Sequence, residues 1–68
     1  MRLTAAITQD GRWWVARCLE VEVTSQGESF DVARSNLAEA LELYFEDEPD
    51  PVSLEPPIIA PVDIRIAG

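Results

Sequence analysis

Cys18 is the one thiol in this 68-residue chain, and the sequence offers no His and no Lys to stand beside it. A serine or cysteine nucleophile needs a neighbouring base or cation to activate it, so nucleophilic catalysis has no visible machinery here. Cys18 lies among strand-forming residues, where a free thiol behaves as a small hydrophobe. The carboxylates assemble no site either. Glu20 and Glu22 are the one close pair at a strand junction, and no acidic residue alternates onto a strand's inner face to complete a Mg²⁺ site for phosphoryl chemistry. Asp47, Glu48 and Asp50 lack the glycine and ligand spacing of a calcium loop. Gly27 stands without the companions that cradle a phosphate. With one cysteine and no histidine, neither a disulfide framework nor a zinc-type ligand cluster can be written. The expectation is a protein that binds rather than catalyses, with no cofactor and no metal.

Charge narrows what it binds. Thirteen acidic residues against five basic ones, all arginine, give a formal net charge of −8. Such a chain repels nucleic-acid phosphates and anionic membranes and favours a basic partner. Its length fits one domain, and a domain this small buries only about 60% of the surface its unfolded chain exposes. Disulfides and metals being excluded, a homo-oligomer or a protein partner is the remaining source of stability. No secretory leader or bilayer-spanning run follows Met1, and the lone thiol suits a reducing compartment, which together predict a cytoplasmic protein.

The elements follow from periodicity. Leu3, Ala5 and Ile7 alternate with Thr4, Ala6 and Thr8, predicting a half-buried strand over about 2–9. Asp10-Gly11 supplies the positive φ of a two-residue hairpin turn into a second strand over 13–18. Trp13 and Trp14 are adjacent in that strand and so point to opposite sides of the sheet. One helix covers one side only, which leaves one indole over. That indole either lies along an edge under neighbouring side chains or marks an interface, where Trp is enriched, and the sequence leaves open which of the two it is. A third strand is expected over 21–26, broken by Gly27.

Ser29 is the expected N-cap of a helix over 30–47, with Asp31 in the first turn where the dipole favours an anion. Phe30, Ala33, Leu37, Ala40, Leu41, Tyr44 and Phe45 recur at spacings of three and four and form the stripe that faces the sheet. Leu43 falls off that stripe. The opposite ridge holds Glu39, Glu42 and Glu46, and Asp47 continues it. Like charges at these spacings cost a few tenths of a kcal/mol per pair, and carboxylates near a helix C-terminus oppose its dipole. The ridge is therefore either a solubilising face or a docking surface for Arg and Lys of a partner. Five prolines then make 48–61 an acidic strap, after which Val62, Ile64 and Ile66 alternate with Asp63 and Arg65 as a final strand over 62–66. That strand can join the sheet beside the first by a right-handed crossover, or pair with a second copy of the chain. The fold class is α+β: a β-β-β-α-β domain, an antiparallel three-stranded meander with one helix on one face and a C-terminal strand.

Gly11-Arg12-Trp13-Trp14-Val15-Ala16, then Thr24-Ser25-Gln26-Gly27-Glu28-Ser29, then Asn36-Leu37-Ala38-Glu39-Ala40-Leu41-Glu42-Leu43-Tyr44 resemble the HicB antitoxin family of bacterial toxin–antitoxin systems. The family's frequent Pro-Gly-Cys segment before the turn is replaced here by Leu19-Glu20-Val21-Glu22-Val23. The resemblance implies a reduced ribonuclease-H-like fold without catalytic carboxylates. It also implies a partner, a small basic RNA-cleaving HicA-type toxin whose active surface the protein covers. Longer members carry a C-terminal DNA-binding module, and this chain is similar to a short form without one. The contact candidates are Trp13, Trp14, Glu39, Glu42, Leu43, Glu46 and Asp47. A stand-alone homo-oligomeric binding or scaffold protein of the same fold is the alternative.

Overall fold

Asp10 and Trp13 face each other across a two-residue turn that sets the frame of the sheet. In the computed structural model, which describes residues 1–47 and 57–67, β1 (Ala5–Asp10) passes into β2 (Trp13–Cys18) through Gly11-Arg12. Gly11 takes φ 63 while Arg12 keeps a negative φ. This glycine-first, type II′ pattern matches the right-handed twist of the flanking strands. β1 and β2 run antiparallel with Ala5 opposite Cys18 and Ile7 opposite Ala16. β3 (Thr24–Gly27) completes the sheet on the other side of β2, with Ser25 opposite Ala16 and Gly27 opposite Trp14.

Both outer strands begin later than their alternation suggests, each for a local reason. Thr4 gives its amide to the side chain of Glu20, at 2.9 and 3.1 Å from the two carboxylate oxygens, so a side chain replaces the ladder partner at that position. Before β3, the Val23 amide donates to the Val21 carbonyl at 2.9 Å. This three-residue turn delays the regular strand from the expected 21 to Thr24.

The helix α1 (Phe30–Glu46) starts as its cap predicts: the Val32 amide donates to Ser29 Oγ at 3.1 Å, and Asp31 lies in the first turn. It packs on one face of the sheet, mainly over β3 and β2 and least over β1. Ala16, Cys18, Ala33 and Leu37 are fully buried between the layers, with Leu3, Ile7, Trp14, Val21, Val23 and Leu41 packed around them. Small residues at the centre let the layers approach closely. Three antiparallel strands roofed by one helix make this an α+β domain.

The strand expected over 62–66 does not form in the single chain. Residues 57–67 carry no regular secondary structure and are exposed throughout. Alternation specifies which side chains would share a face of a strand, but not the edge it pairs with. The rest of the expected strap, 48–56, lies outside the described residues.

Candidate functional site

Ala33, Leu37, Leu41 and Phe45 stand four residues apart and turn toward the sheet, so the helical period carries Glu39, Glu42, Leu43 and Glu46 to the outer side. There these four side chains line one shallow hollow of about 230 Å³. Leu43, 67% exposed, is an apolar spot among three carboxylates. Asp47 extends the acidic run as the exposed C-cap, its amide donating to the Phe45 carbonyl, and no basic residue occupies the last turn. Among the described residues the one ion pair is Arg34 with Asp31 at 3.3 Å, at the opposite end of the helix. The acidic face therefore has no countercharge where the helix dipole most disfavours anions. A cationic surface laid on it would relieve both the dipole and the mutual repulsion.

The two indoles separate. Trp14 lies under the helix, edge-to-face on Phe30 with ring centroids 6.0 Å apart, and the Arg34 guanidinium sits 5.6 Å above that same Phe30 ring. Trp13 points to the open face of the sheet, 41% exposed, where it shares a hollow of about 370 Å³ with Arg12 and Glu28. Of the sequence candidates, Glu39, Glu42, Leu43, Glu46 and Asp47 thus form one surface, and Trp13 belongs to another on the far side of the two-layer domain. A partner lying on the outer face of α1 reaches Trp13 only by wrapping an edge. Trp14 contributes to packing.

The carboxylate pair at the strand junction is divided in the same way. Glu20 is held by the Thr4 amide and by the Cys18 thiol, 3.5 Å from Oε1. The Thr4 hydrogen bonds keep its carboxyl below the ordinary glutamate value, against the opposing effect of desolvation. Glu22 stays exposed. Among the described residues no three Cys, Asp or Glu side chains converge as metal ligands, and no helix is long and apolar enough to cross a membrane.

Two features escape a reading of the sequence. α1 packs least over β1, and an apolar groove of about 390 Å³ opens between its later turns and the segment that leads into β1, lined by Met1, Leu3, Ala38, Leu41, Glu42 and Phe45. At the opposite edge Asn36 Nδ2 donates to the Gln26 carbonyl at 2.9 Å, tying α1 to the outside of β3. The breadth of the helix stripe hints at the groove; nothing in the local pattern distinguishes Asn36.

No protein-family model matches the chain, and comparison with curated proteins and with solved structures returns no match.

Proposed function

We propose that this chain is an antitoxin-like protein of a type II toxin–antitoxin system, which binds and occludes a small basic RNA-cleaving HicA-type toxin. The observation that carries this reading is the outer face of α1, where Glu39, Glu42 and Glu46 surround exposed Leu43 with no basic residue in the last turn. An inhibitor that covers an RNA-binding surface must present negative charge where phosphates would lie, and a central apolar contact within a charged rim suits protein association. The turn and helix motifs resembling the HicB family support the same reading. It brings with it a reduced ribonuclease-H-like, HicB-type β-β-β-α-β arrangement, a non-enzymatic role and a cytoplasmic location.

Reading the neighbouring genes for a short basic protein, and co-expressing the chain with it, tests the proposal. Growth should be restored, and the double variant Glu42→Lys/Glu46→Lys should fail to restore it. The same variant should be slightly more stable, by roughly 0.3–1 kcal/mol, since it puts cations where the dipole favours them and turns the Glu39–Glu42 repulsion into an attraction, while positions 42 and 46 remain a like-charged pair. A toxin that stays lethal beside the wild-type chain, or a neighbourhood that encodes no such protein, refutes the proposal.

The second reading is a stand-alone homo-oligomer. It is favoured by Ile58, Ile59, Val62, Ile64 and Ile66, which are between 72% and 93% exposed in the single chain. Apolar side chains in that number on one short segment call for a cover.

A further inference from the structure

We propose that residues 62–66 of one copy add as a fourth strand to the free edge of β1 in a second copy, and that the two copies exchange this segment reciprocally. The inference rests on the self-association reading and is independent of the toxin. Its first support is the state of the two sheet edges. The Leu19 amide donates to the Thr4 carbonyl at 3.0 Å, which makes that pair hydrogen-bonded. In an antiparallel ladder bonded and unbonded pairs alternate, so Ala6, Thr8 and Asp10 bond to β2 while Ala5, Ile7 and Gln9 turn their amides and carbonyls outward. Natural sheets blunt such an edge with Lys, Pro, a bulge or a covering element. β1 reads Ala-Ala-Ile-Thr-Gln-Asp and has none of the first two, and its pairing with β2 runs without a bulge. The β3 edge is different: it is four residues long, and Asn36 occupies its outward Gln26 carbonyl.

The second support is that the exposed segment matches what the β1 edge lacks. Val62, Ile64 and Ile66 share one face by period 2, with Asp63 and Arg65 on the other. A strand beside β1 that continues along Leu3 and Met1 ahead of it would turn the apolar three toward the groove of Met1, Leu3, Leu41 and Phe45, and the charged pair toward the open, solvated face of the sheet. Among the described residues each copy carries an unpaired β1 edge and an uncovered segment, so a twofold exchange satisfies both at once.

Light scattering on the full chain at micromolar concentration should give twice the single-chain mass of 7.6 kDa. Hydrogen exchange should show the amides of Ala5, Ile7 and Gln9 slowed by at least roughly tenfold relative to the variant Ile64→Asp/Ile66→Asp. That variant should be monomeric and keep the helical part of the circular dichroism signal, because the substituted residues lie outside the sheet and helix of the single chain. A dimer that persists in the variant overturns the exchange and leaves self-association through another surface. A wild-type monomer with fast amides overturns both, and a wild-type monomer with slowed amides shows the segment on its own sheet and overturns the exchange.

Discussion

Gly27 passes so close beneath the first turns of α1 that a Cβ built on it would stand 2.6 Å from the Ala33 amide nitrogen and 2.7 Å from Val32 Cγ1. The close approach, rather than any positive φ, is what requires glycine here. Ala33 is itself fully buried, and its amide donates to the Ser29 carbonyl at 2.9 Å to open the helix. Sheet, cap and helix therefore meet at one contact.

Replacing Gly27 by Ala should reveal that contact by its sign. Elsewhere a Gly→Ala change at a compatible position stabilises by about 0.4–1 kcal/mol through the unfolded chain. Here the added methyl meets backbone that cannot rotate away, and a loss of roughly 1–3 kcal/mol is expected. Urea unfolding followed by circular dichroism measures it. An unchanged or higher midpoint would refute the packing described.

The two adjacent tryptophans should differ sharply. Trp14→Ala removes an aromatic packed on Phe30 and on the core, a loss of about 3 kcal/mol. A core this small rarely supplies more than about 3–5 kcal/mol, so the variant should keep no more than about 2 kcal/mol and unfold at far lower denaturant than the wild type. Trp13→Ala, on the open face, should shift stability by no more than about 0.5 kcal/mol. Equal losses would mean that both rings carry the fold.

Acid sensitivity should depend on Glu20. Its carboxyl is held below the ordinary 4.5 in the folded state, chiefly by the Thr4 amide. A group depressed in this way stabilises the fold while ionised, so its contribution is full above the unfolded value and is lost as pH falls through the folded one. Glu20→Gln cannot gain or lose that charge. Its unfolding midpoint should therefore fall less steeply than that of the wild type as pH drops below 4.5. Parallel curves for the two proteins would remove Glu20 from the account.

The features legible in the residues alone are local ones. Gly11 sets the hairpin, though as the first residue of a Gly11-Arg12 turn rather than the second of Asp10-Gly11, and Ser29 sets the helix start, while the spacings from Phe30 to Phe45 set the helix and its two faces, so the acidic outer surface with Leu43 follows from the chain's own pattern. Each of these is decided by interactions within a few residues, or by a period that needs no knowledge of what lies opposite. Which indole the helix covers is a matter of tertiary packing, because the two faces of β2 are nearly equal in apolar content and the choice depends on how the β3–α1 connection swings. Packing also places α1 over β3 rather than over β1. That offset follows from Gly27 admitting the helix on one side and Asn36 holding it there, contacts between segments whose sequence patterns are mute about each other. Among the described residues no strand joins β1 on its outer side, the apolar groove opens by Met1 and Leu3 ahead of it, and 57–67 stays uncovered, which no reading of alternation alone could assign.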